Sequence, residues 1–180
     1  MDSEKLKNLQ KTFLHDEIWL LSYIGAFGRA NIYAKDALEK KRIEFRKYLR
    51  ETISAVVQEK YQQKVSSQMH TEELIRIKDA IPAEHLKTLR NGTFRLGVMQ
   101  KLMNLYLKYL WSLGWISDEP PHCPFDGNII KKLELDVAVV RTWTKIIERK
   151  DYEKLVVAAQ KKAAPLSIAE WELQEFNRIR

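Results

Sequence analysis

The sequence predicts an all-α protein. Three observations carry that expectation. There are only 6 Gly and 5 Pro in 180 residues. Leu, Ala, Glu and Lys are abundant, and these are good helix formers. No alternating apolar–polar run is long enough to build a sheet. The length fits one compact domain over residues 1–180, with lobes 1–90 and 91–180 flanking a groove as the other arrangement. Nothing repeats at a fixed period, and no composition break marks a linker.

Taken in order, a first helix is expected over about 3–14. An apolar second one follows near 16–26, with Asp16 and Glu17 suiting its positive N-terminal end and Gly25 and Gly28 closing it. A long helix is expected over 30–62, which contains no Pro or Gly. Its apolar positions Leu38, Ile43, Phe45, Tyr48, Leu49, Ile53, Val56 and Val57 recur at helical spacing. Residues 63–70 are polar and read as a loop. Thr71, with Glu72 and Glu73 behind it, reads as an N-cap, and Pro82 ends that helix. A short helix over 83–90 precedes the turn signal Asn91-Gly92. The central helix is expected over 94–113. Pro120, Pro121 and Pro124 exclude helix from 118 to 124. Asp126 then starts a helix to about 134, and others follow over 136–147 and 151–163. Ser167 and Glu170 form a capping box for the last one.

The net charge is +7, from 31 Lys/Arg against 24 Asp/Glu, which leans toward an anionic partner. The excess is spread evenly, with 17 Lys/Arg and 13 Asp/Glu in residues 1–90. Any basic patch is therefore assembled by folding. Six basic residues lie between 40 and 50, including Arg42, Arg46 and Lys47. They read either as a solvated face or as a stripe facing phosphates, whose binding would fall steeply with salt. The single Cys123 excludes an internal disulfide and a Cys-rich zinc site. The opening Met-Asp-Ser-Glu-Lys has no signal-peptide pattern, and no segment is apolar enough to span a bilayer. A cytoplasmic location is expected.

On the central helix Lys101, Asn104 and Lys108 fall at i, i+3 and i+7, forming one polar stripe. The stripe is either a solvent face or a functional one. Asp126 is either an ordinary N-cap or the partner of Lys101, since a lysine and an aspartate delivered by two helix starts can make a nucleophile–base pair.

The order of these features resembles the helix-hairpin-helix DNA glycosylases, and within them the compact 8-oxoguanine glycosylases of archaea and bacteria. The resemblance rests on Gly97-Val98-Met99-Gln100-Lys101 opening a helix and on Pro124-Phe125-Asp126-Gly127-Asn128 after a loop. It extends through Asp151–Lys162 and Ser167–Leu173, and covers about 91–178. Met99 stands where the hairpin has its second glycine, and the loop before Asp126 is longer than the family's. The resemblance implies Lys101 as the nucleophile and Asp126 as its partner, acting on a modified purine flipped from duplex DNA, with strand cleavage by β-elimination. The expected nucleic-acid contacts are Gly97, Gln100, Arg42, Arg46 and Lys47. The other reading is a non-catalytic helical module that binds nucleic acid or a protein partner.

Further candidates sit near these two. His122 lies in the Pro-bounded loop, placed to meet a substrate. Phe125 lines a pocket if Asp126 does. Trp111, Trp115 and Trp143 offer stacking surfaces for a base or are core. His15, His70 and His85 have no carboxylate at metal-ligand spacing, so neither a metal nor another cofactor is expected.

Overall fold

The computed structural model describes residues 2–135 and 143–179. About 70% of the chain is helical, in eight α-helices with no strands among the described residues. The helices are α1 (Ser3–Phe27), α2 (Glu39–Lys60), α3 (Ser67–Asp79), α4 (Ala83–Leu86), α5 (Leu96–Ser112), α6 (Gly127–Lys132), α7 (Arg149–Ala163) and α8 (Ile168–Ile179). Short 3-10 turns occupy Arg90–Gly92 and Trp143–Lys145.

The helix α5 is the hub. It packs against α1, α3, α7 and the Trp143–Lys145 turn. Leu96, Val98, Met99, Leu102, Met103 and Leu107 are all fully enclosed. A helix with neighbours on every side has no solvent face, so its polar stripe is enclosed too. Lys101 and Lys108 are each only 9% exposed, and Asn104 is 0% exposed. That decides between the two readings of the stripe: it is not a solvent face. One cluster of buried side chains runs from Ile18 in α1 through Phe45, Leu74 and Met103 to Trp171 in α8.

Several expected boundaries are corrected. The two N-terminal helices are one continuous α1. Asp16 lies inside it and is held by an ion pair to Arg50 of α2, so no break is needed there. Residues 28–38 are not helical. Ala34 N donates to Thr88 O at 3.0 Å, and Arg90 N donates to Ile32 O at 2.7 Å. These bonds hold Tyr33 against Leu89 as an antiparallel bridge and use the backbone groups a helix would need. The helix α3 starts five residues earlier than expected. Ser66 Oγ accepts from Met69 N at 3.2 Å, which makes Ser66 the cap, and Thr71 is buried inside the helix with its hydroxyl donating to Ser67 O.

The Asp126 and Ser167 caps stand as expected. Asp126 Oδ1 accepts from Asn128 N at 3.0 Å and Ile129 N at 3.1 Å. Ser167 N and Glu170 N exchange bonds with each other's side chains at 3.0 and 3.1 Å. The expected helix over 136–147 falls mostly outside the described residues, including Val137, Val139 and Val140. Within the described part, Trp143 begins a 3-10 turn.

Candidate active site

The site begins with a glycine. A Cβ added to Gly97 would lie 1.7 Å from the carbonyl oxygen of Trp143, so only glycine allows that backbone to approach. Gly97 N donates to Ile146 O at 2.9 Å. The turn Trp143–Lys145 is thereby docked on the first turn of α5. Its indole comes to rest beside Lys101, whose Nζ is 4.6 Å from the Trp143 ring centroid.

The second component is the loop 122–126, held by a buried polar network. Gln100 Nε2 donates to Phe125 O at 2.8 Å and to Gly97 O at 2.9 Å, and its Oε1 accepts from Phe125 N at 3.2 Å. Asn104 Nδ2 donates to Cys123 O at 2.9 Å, and Asn104 Oδ1 meets His70 Nε2 at 2.8 Å. His70 Nδ1 is 2.6 Å from Tyr61 OH. His122 bridges Ser67 Oγ and Tyr152 OH, both at 2.7 Å. Each of these polar groups finds a partner, as burial requires. Desolvation holds His70 down to about 4, against the hydrogen bond it donates to Asn104 Oδ1. It holds His122 well below its usual range, with His70 adding to the effect. The two imidazoles are neutral structural members.

Asp126 leaves this loop with its two oxygens divided. Oδ1 caps α6, and Oδ2 lies 3.1 Å from Lys101 Nζ. The pair faces a cleft of about 320 Å³, walled by Leu21 and Gly25 of α1, Leu105, Pro124, Asn128 and Ile129. At the far end of the cleft Lys108 Nζ is 2.7 Å from Glu172 Oε2 and 4.2 Å from the Phe176 ring centroid. Burial raises the Glu172 carboxyl above its ordinary range, with the Lys108 ammonium opposing the shift. A second opening of about 490 Å³ reaches the same Lys101 and Asp126 from the side of Gly28, Arg29 and Trp143. An apolar-walled cleft with a few convergent polar groups is the ordinary form of a small-molecule site. Among the described residues no group of three His, Cys, Asp or Glu is placed to hold a metal ion. No helix there is long and apolar enough to cross a membrane.

The remaining expected site residues stand elsewhere. His122 and Phe125 are fully enclosed and line neither opening at Lys101; they hold the loop that carries Asp126. Gln100 is equally enclosed, and its amide is spent on Phe125 and Gly97. The Gly97 amide is spent on Ile146, and Met99 is a core side chain at 0% exposure. Neither Gly97 nor Gln100 is placed to touch nucleic acid. Trp115 stacks on His15, with centroids 6.3 Å apart and planes 11° apart, under Lys11. Trp111 is half-buried against the core. Neither tryptophan lines either opening at Lys101; Trp143 lines the second. Arg42 and Arg46 lie over the rings of Tyr33 and Tyr23, at 5.1 and 5.3 Å. Lys47 points elsewhere, 3.7 Å from Glu51. The sequence left Glu172 and Phe176 unmarked, because nothing local sets them apart from other residues of an amphipathic helix. Lys108 was visible as the third member of the stripe.

No protein-family model, no curated protein and no solved structure matches this chain.

Proposed function

We propose that the chain is a DNA glycosylase of the helix-hairpin-helix kind, with lyase activity, acting on a modified purine such as 8-oxoguanine. The observation that carries this reading is the Lys101–Asp126 contact of 3.1 Å at the mouth of a cleft. A nucleophile and its base have to lie within hydrogen-bond reach.

Asp126 Oδ2 takes a proton from the Lys101 ammonium. The freed amine attacks C1′ of a flipped nucleotide. The new N–C1′ bond forms as the glycosidic bond breaks, and its electrons leave with the base, which is protonated to the neutral purine. Loss of a proton from nitrogen and opening of the sugar give a Schiff base. Removal of a C2′ proton then expels the 3′ phosphate. Asp126, anionic again after it passes its proton on, stabilises positive charge building on the sugar. Lys108 and Glu172 offer one donor and one acceptor at the far end of the cleft, a match for the amide edge of an oxidised purine.

The other reading is a non-catalytic helical module that binds nucleic acid or a protein partner, and the hairpin favours its protein-binding form. Gly97 N is bonded to Ile146 O and Met99 is buried, so this turn lacks free amides for a phosphate.

Borohydride trapping separates the two. Duplex DNA with an 8-oxoguanine or an abasic site is expected to give a covalent adduct that Lys101→Ala abolishes. Salt-sensitive binding with no adduct on any lesion would leave the binding module.

A further inference from the structure

A third cleft, of about 520 Å³, opens where α1 ends. Its volume falls in the range of small-molecule sites, about 300–1,000 Å³. Its lining includes three cations, Arg29, Lys35 and Arg42, and three aromatic rings, Tyr23, Phe27 and Tyr33, with no carboxylate. Glu39 lies outside the lining and is taken up by Arg46 at 2.9 Å and Arg42 at 3.7 Å. The floor is rigid. Residues 32–34 are bonded to 88–90, and the Arg95 guanidinium donates to Ala30 O.

Two polar atoms in this cleft are unsatisfied. Tyr33 OH and Arg42 Nε are buried and have no hydrogen-bond partner. Tyr23 and Arg46 stand near the Tyr33 hydroxyl, but neither reaches it with hydrogen-bond geometry. Both atoms belong to side chains that line the cleft, and an unpaired buried donor costs about 1–3 kcal/mol. The cleft also shares Ile24, Gly28 and Arg29 with the opening that reaches Lys101 and Asp126. The two therefore lie side by side along the last turns of α1.

We infer that this cleft is a second ligand site, for a phosphorylated aromatic ring: one nucleotide unit, with its phosphate on Arg29, Lys35 and Arg42 and its base against Tyr23 and Tyr33. Guanidinium groups hold phosphate oxygens in pairs, and tyrosine faces stack any base. The ligand class follows from the lining. That the occupant is the neighbour of the nucleotide in the Lys101 cleft rests on the proposed function.

The test is an amide-shift titration of the full chain with three probes: pentathymidylate, thymidine monophosphate and inorganic phosphate. Shifts at Gly28, Arg29, Tyr33 and Lys35 are expected with pentathymidylate. Arg29→Gln and Arg42→Gln are each expected to weaken binding about tenfold, the loss of one charged hydrogen bond. Arg29 is exposed, so its variant keeps the test valid where Arg42→Gln disturbs the fold. Equal binding of the monophosphate identifies a free nucleotide as the ligand; binding of pentathymidylate alone identifies a strand. Inorganic phosphate binding as tightly as either, or no shift at these amides, would overturn the inference. Borohydride trapping at Lys101 is read separately. Shifts without an adduct would sink the catalytic reading and leave this site standing.

Discussion

Asp126 serves two masters with separate oxygens: Oδ1 caps α6 through Asn128 N and Ile129 N, and Oδ2 reaches Lys101 Nζ at 3.1 Å. One side chain is thus a structural cap and half of a candidate catalytic pair, and the two roles separate by substitution.

Asp126→Asn keeps an oxygen for the cap, since Asn and Asp cap almost equally well. Unfolding free energy is expected to change by less than about 1 kcal/mol. The borohydride adduct is expected to form at least about a hundredfold more slowly, the low end of what a general base contributes. A variant that traps at the wild-type rate would remove Asp126 from the chemistry.

Gln100→Leu removes both bonds to Phe125 and the one to Gly97 O. It leaves the Phe125 N–H and C=O buried without those partners, at about 1–3 kcal/mol each. Urea unfolding is expected to show a loss of about 3 kcal/mol, and trapping should weaken because Asp126 is no longer fixed. A loss below about 1 kcal/mol would mean that the loop is held by other contacts.

Gly97→Ala and Gly127→Ala form a matched pair. At Gly97 the new methyl would meet the Trp143 carbonyl at 1.7 Å, whereas at Gly127 nothing lies within 4 Å. Alanine in a helix normally adds up to about 1 kcal/mol over glycine. Gly127→Ala should therefore be neutral or stabilising. Gly97→Ala should destabilise by several times that amount and undock Trp143 from Lys101. Equal melting temperatures for the two variants would contradict the close approach.

His70 and His122 are buried and neutral, with His70 held down to about 4 and His122 well below its usual range. In the unfolded chain both titrate near 6.5. As pH falls through 6.5 the unfolded state binds protons first, so the folded state loses stability between pH 6.5 and 4. For His70 alone the loss reaches about 3 kcal/mol by pH 4. Denaturant unfolding at pH 7 and pH 4.5 measures it. Constant stability across that window would show that the imidazoles accept protons in place.

Lys108 and Glu172 are a buried ion pair, with side chains 11% and 5% exposed. Glu172→Gln leaves the Lys108 ammonium without its counter-charge, at about 3–5 kcal/mol. The double variant Lys108→Met with Glu172→Leu should recover most of that loss, because a packed apolar pair is often as stable. It should also abolish selection of an oxidised purine over an abasic site in trapping. Retained selection would place base recognition elsewhere.

Taken alone, the sequence determined whatever is local. The all-α class, the Pro-bounded break at 118–124, the Asp126 cap and the Ser167–Glu170 box each depend on a few neighbouring residues. Capping geometry and proline sterics act within one turn of helix. Lys101 and Asp126 could be nominated for the same reason, as two helix starts in order. Tertiary structure decided what depends on distant partners. Asp16 stays inside a continuous α1 because Arg50 holds it. Residues 32–34 run beside 88–90, out of any helix, because the two segments pair. Gly97 serves the docking of Trp143, which lies 46 positions away and lends its ring to Lys101. The stripe on α5 has the same local pattern on a wet face as on a dry one. Burial alone separates the two, and burial is set by α1, α3, α7 and α8 closing around that helix.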